Sequence, residues 1–93
     1  MLFILSDDQS VPDLGCYGNP DLHTPNLDKL AKGGALFRQF FTAASQSVPS
    51  RASLLTGRNV LSVDVLRFSS PLPREYATFP EILRKNGYYV GVL

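Results

Sequence analysis

The chain has 93 residues, of which 44% are hydrophobic and 18% charged, and its formal net charge is +1. That is ordinary globular composition, and it gives no electrostatic case for nucleic acid or an anionic membrane as a partner. No apolar run approaches the roughly 18 residues that a membrane span needs, and the single cysteine, Cys16, excludes an internal disulfide framework.

A chain of this length suffices for one small domain that buries about 60–65% of its unfolded surface. Met1–Leu5 is apolar but too short for a signal-peptide core, and no basic stretch precedes it. It reads as a buried strand over Leu2–Leu5 that runs into the carboxylate pair Asp7-Asp8. Residues 9–23 are rich in Gly, Pro, Asn and Asp and predict a loop. Thr24 then caps a helix with Pro25 at its first position; Leu27, Leu30 and Ala31 form its apolar stripe, and Gly33-Gly34 ends it. Ala35–Thr42 carries Phe37, Phe40 and Phe41 among polar residues and predicts a second strand.

A second helix is expected over Ser47-Val48-Pro49-Ser50-Arg51-Ala52-Ser53-Leu54-Leu55-Thr56, with Pro49 in its first turn and Gly57 just past its end. Residues 59–77 lack periodicity and read as irregular. Thr78-Phe79-Pro80-Glu81 is a capping box that starts a third helix, which ends at Asn86-Gly87. Tyr88–Leu93 predicts a third strand. Strands alternating with helices imply an α/β layer fold with a parallel sheet.

The second helix carries the chemistry. Ser47 lies at its mouth, where unpaired N–H groups and partial positive charge favour an exposed anion by roughly 0.3–1 kcal/mol. Arg51 is four residues on, hence on the same face. A hydroxyl, an anion-binding helix end and a guanidinium suit attack on a sulfuryl or phosphoryl group. Asp7 and Asp8 sit at the carboxyl end of the first expected strand, where open α/β sheets place their sites. Adjacent ionised carboxylates repel each other unless a cation holds them, and a hard divalent ion, Ca²⁺ or Mg²⁺, is their natural partner.

The pattern Ser-x-Pro-Ser-Arg-x-x-Leu-Leu-Thr-Gly-Arg from Ser47 to Arg58 resembles the signature of the type I, formylglycine-dependent sulfatases of the alkaline phosphatase superfamily. Ile4-Leu5-Ser6-Asp7-Asp8-Gln9, Leu14-Gly15-Cys16-Tyr17-Gly18 and His23-Thr24-Pro25-Asn26-Leu27-Asp28-Lys29-Leu30-Ala31 also follow the family pattern, in family order. The resemblance implies residues 1–93 as the N-terminal portion of one catalytic domain, part of an alkaline-phosphatase-like sandwich with a mostly parallel sheet flanked by helices. It implies Ser47 and Arg51 as catalytic residues and Asp7, Asp8 and Ser47 as ligands of Ca²⁺ or Mg²⁺. It also implies oxidation of Ser47 to formylglycine by a maturation enzyme that reads Pro49 and Ser50. The implied reaction is hydrolysis of a small-molecule or carbohydrate sulfate ester. Members are commonly periplasmic, secreted or lysosomal, and no export signal is evident.

Two alternatives stand beside this reading. One is a phosphohydrolase of the same superfamily, with unmodified Ser47 attacking phosphorus. The other is an inactive segment, because the family's catalytic lysine and histidine and its later Asp-Asn metal pair do not follow within these residues.

The other reactive residues have plainer readings. Cys16 lacks the proline and arginine spacing of the signature and reads as a half-buried loop residue. His23, the only histidine, reads as a loop or cap partner, with a place near the substrate as the alternative. Arg58 reads as satisfying the last carbonyls of the second helix, and Ser53 and Thr56 as packing residues. Phe37, Phe40, Phe41, Tyr88 and Tyr89 are expected in the core, and Arg67–Pro73 near the substrate pocket.

Overall fold

The computed structural model describes residues 1–91 and divides into two compact units, Met1–Phe40 and a second running from Phe41. In the first unit, two short 3-10 turns, Val11–Asp13 and Gly15–Tyr17, precede helix α1, Pro25–Gly33. The Ser10 N–H donates to the Asp13 carboxylate at 2.8 Å and opens the first turn. Gly18 closes the second turn at φ 102°, a left-handed conformation that costs an L side chain energy and glycine none. The Asn19 side-chain oxygen accepts the N–H groups of Asp21 (2.9 Å) and Leu22 (3.3 Å), an Asx turn inside the segment expected as a loop.

Thr24 occupies the cap position of α1, but its hydroxyl makes no hydrogen bond to the helix N–H groups. It accepts the Gly15 N–H at 3.0 Å and donates to the Asp28 carboxylate at 3.0 Å. Asp28 also accepts the Cys16 N–H at 2.7 Å. These bonds fasten the Gly15–Tyr17 turn to the start of α1. The fit is close: a Cβ on Gly15 would stand 2.7 Å from Asp28 Oδ2. The apolar stripe of α1 buries little, and Leu30 is 68% exposed.

The second unit holds helix α2, Ser47–Thr56, and helix α3, Phe79–Lys85. Helix α2 buries Pro49 and Ala52, and Gly57 ends it at φ 67° with its N–H on the Ser53 carbonyl. The core consists of Ala52, Val63 and Val65, with Val48, Leu72 and Tyr76 around it. Val48 and Ala52 are four apart on α2, while Val63 and Val65 come from the aperiodic stretch 59–77. That stretch holds its course through local turns: the Asn59 carbonyl accepts both the N–H and the hydroxyl of Ser62. Glu81 reaches back to Thr78 and accepts its N–H (2.8 Å) and its hydroxyl (3.1 Å), as the capping box predicts. Gly87, at φ 84°, closes α3, with the Tyr88 N–H on the Leu83 carbonyl.

The three helices therefore lie where their caps and breakers place them, and no sheet is present among the described residues. Leu2–Leu5, Ala35–Thr42 and the described part of Tyr88–Leu93 pair into no strand among the described residues; Val92 and Leu93 lie outside them. A helix satisfies its own backbone, whereas a strand depends on a neighbour, and parallel strands also need cover on both faces. Here Leu2 is 83% exposed and Tyr89 97%, so neither condition is met. The aromatic group expected in the core is exposed for the same reason. Phe37 and Phe40 instead meet edge to face, ring centroids 6.0 Å apart.

Candidate active site

Ser47 is the first helical residue of α2, and Gln46 caps it in an extended conformation. The Gln46 carbonyl accepts the Ser50 N–H at 3.0 Å, the bond that begins the helix. One turn on, Arg51 Nε donates to Ser47 Oγ at 3.2 Å, so the expected i, i+4 pair exists as a direct hydrogen bond. Both residues are half-buried. Pro49, between them and buried, fixes the first turn against the rest of the unit. Ser47 Oγ thus lies beside a guanidinium and at the positive end of a helix, a setting that suits a bound or developing anion.

Asp7 and Asp8 belong to the first unit and are exposed. Asp8 takes φ 49°, a left-handed conformation that aspartate tolerates better than most residues and that turns the chain sharply at the pair. Carboxylate oxygens of this kind fit a hard divalent ion. Among the described residues, no group of three or more His, Cys, Asp or Glu residues gathers to hold a metal.

The remaining candidates sort clearly. Cys16 is half-buried in its loop, as expected, and His23 is exposed ahead of α1. Arg58 differs from the expectation: its guanidinium lies 5.4 Å from the Tyr76 ring centroid. The end of α2 is closed instead by Gly57, by Thr56 Oγ1 donating to the Ala52 carbonyl at 2.7 Å, and by Ser53 Oγ donating to the Arg58 carbonyl at 2.6 Å. Ser53 and Thr56 therefore act through hydrogen bonds more than through packing. Of the stretch Arg67–Pro73, Leu72 and Pro73 line a shallow cavity with Arg74, Tyr76, Thr78 and Glu81. Thr42, unmarked by any sequence signal, bonds to Ser50 across the loop before α2.

Comparisons with known proteins show the family of the chain. A family model described as Sulfatase matches residues 1–93, and the chain belongs to the sulfatase family. It is 45% identical to human arylsulfatase A over 98 residues, covering 99% of this chain and 19% of that protein. It is 40% identical to an ulvan-active sulfatase of Formosa agariphila over 90 residues, covering 97% and 18%. To human steryl-sulfatase the identity is 32% over 104 residues, covering 100% and 18%. The chain thus spans about a fifth of the length of the curated relatives it matches. No solved structure matches it. The family implies an alkaline-phosphatase-like α/β fold, of which the described residues show the helices. No helix among them is long and apolar enough to cross a membrane.

Proposed function

We propose that the protein hydrolyses a sulfate ester to an alcohol and sulfate, with formylglycine derived from Ser47 at the reacting position. Asp7 and Asp8, and Ser47 once oxidised, are the proposed ligands of a divalent cation, Ca²⁺ or Mg²⁺. Once formed, the aldehyde would supply, as its hydrate, the nucleophile and a route for releasing sulfate, and a bound cation would supply charge neutralisation. This chain's own residues orient and stabilise. Arg51 holds the side-chain oxygen of residue 47 through Nε and offsets negative charge arriving there. The start of α2 adds its partial positive charge, and buried Pro49 keeps that end in place. The reaction breaks the S–O bond to the alcohol and consumes one water.

The observation that carries the proposal is the 3.2 Å bond between Arg51 and Ser47 at the mouth of α2, in a chain of the sulfatase family. The relatives' names point to different substrates, aryl, steryl and ulvan, so the proposal keeps what they share: a sulfate ester on a small molecule or carbohydrate. A formylglycine-generating enzyme is the proposed maturation partner. Mass spectrometry of the peptide containing Ser47 is expected to show a loss of two hydrogens. Ser47→Ala is expected to abolish aryl sulfate turnover, and Arg51→Ala to lower kcat about 10²–10³-fold, as loss of a charge-stabilising donor does. An unmodified Ser47 with turnover of phosphate esters instead would favour the phosphohydrolase alternative.

A further inference from the structure

The loop that delivers Ser47 to α2 is tied back onto the helix by one hydroxyl. Thr42 Oγ1 lies 2.7 Å from Ser50 Oγ and 2.8 Å from the Ala44 carbonyl. A threonine hydroxyl has one proton to give and two lone pairs to fill. A carbonyl can only accept, so the Thr42 proton goes to Ala44 and the Ser50 hydroxyl donates to Thr42. The Ala44 N–H approaches the same oxygen at 3.4 Å. Thr42 is therefore bonded both to the loop and to the first turn of the helix, on either side of Ser47. Between these anchors the path is short: residues 43–46 lead directly into Ser47, and Gln46 is extended. Ser50 is also held by the backbone bond to Gln46. The clasp ties the chain entering α2 to the first turn of the helix, the turn that begins at Ser47.

We infer that Thr42 is a positioning residue for Ser47, acting through Ser50; the inference rests on the functional reading of Ser47 given above. Thr42→Val keeps the shape and removes the hydroxyl, Thr42→Ser keeps the hydroxyl, and Ser50→Ala removes the other partner. Two readouts separate this inference from that reading. The first is kcat and KM on an aryl sulfate, corrected for formylglycine content by mass spectrometry. The second places each variant in a Cys16→Ser, Ser47→Cys background, produced without the maturation enzyme and checked by intact mass for an unoxidised thiol, and follows its alkylation by iodoacetamide against pH, a signal that depends on Arg51 and the helix end. The expected result is a fall in kcat with KM nearly unchanged and a displaced alkylation profile, each about two- to tenfold, the size of one hydrogen bond. Thr42→Ser restores both, and the Thr42→Val, Ser50→Ala double variant is no worse than either single. A wild-type profile for Thr42→Val, impairment of Thr42→Ser equal to that of Thr42→Val, or additive single effects would each overturn the inference. If Ser47 proves unmodified and sulfate esters are not turned over, the sulfatase reading falls, and the alkylation series still decides the role of Thr42. Should Thr42→Val fail to fold, the Ser50→Ala variant, at a half-buried position, gives the same decision.

Discussion

Between Met1 and Phe40 no residue is buried, whereas Pro49, Ala52, Val63 and Val65 are buried in the unit that follows. The first unit is organised by side chains bonding backbone: Thr24 and Asp28 take up the N–H groups of Gly15 and Cys16. The second unit has a small apolar centre, with hydrogen bonds trimming its helix ends. Polar fastening depends on distance and angle, so one lost acceptor undoes it. Apolar burial depends on volume and declines more gradually. The signature helix lies in the unit with the core, which gives Ser47 and Arg51 a support that Asp7 and Asp8 do not share among the described residues.

Substitutions at the two anchoring sets test that contrast. Val65→Ala, which empties part of a fully buried site, is expected to cost about 2 kcal/mol in urea unfolding. A loss under about 0.5 kcal/mol, the range of ordinary surface changes, would mean that the centre contributes little. Asp28→Ala strands the Cys16 N–H in a half-buried turn and is expected to cost about 1–2 kcal/mol. Its mark is faster amide exchange at Gly15 and Cys16; unchanged exchange there would show that the turn stands without its carboxylate.

The smallest effect lies at α3. The Thr78 N–H, then the Thr78 hydroxyl, hold the Glu81 carboxyl below its ordinary value. Because the folded value is the lower one, the stabilisation is complete above the ordinary carboxylate range. It is lost as pH falls through the folded value. Glu81→Gln is expected to flatten the acid end of a helicity titration by circular dichroism, and a variant that retained the wild-type acid loss would remove Glu81 as its cause.

All three helices were legible because their boundaries are written locally: Pro25 and Gly33-Gly34, Ser47 and Gly57, Thr78 and Asn86-Gly87. The Ser47–Arg51 pair was legible for the same reason, since helical spacing alone puts the two on one face. The strands were not, because alternation in Ala35–Thr42 states a preference while pairing needs a partner that no local rule supplies. Val63 and Val65 escaped notice because a stretch without periodicity gives no sign of which residues turn inward. The Arg58–Tyr76 contact and the Thr42–Ser50 clasp join residues across loops whose course cannot be read from spacing.

The buried proline in the first turn of α2 has a further consequence. An α-helix leaves its first four backbone N–H groups unpaired, and Pro49 has none to contribute. The helix mouth therefore offers the amide hydrogens of Gln46, Ser47 and Val48, while that of Ser50 is already committed to Gln46. In a deuterium-labelling experiment the protected part of the helix would begin at Ser50, three residues after its geometric start. Ser47 would label like a loop residue although its side chain is held by a helical neighbour.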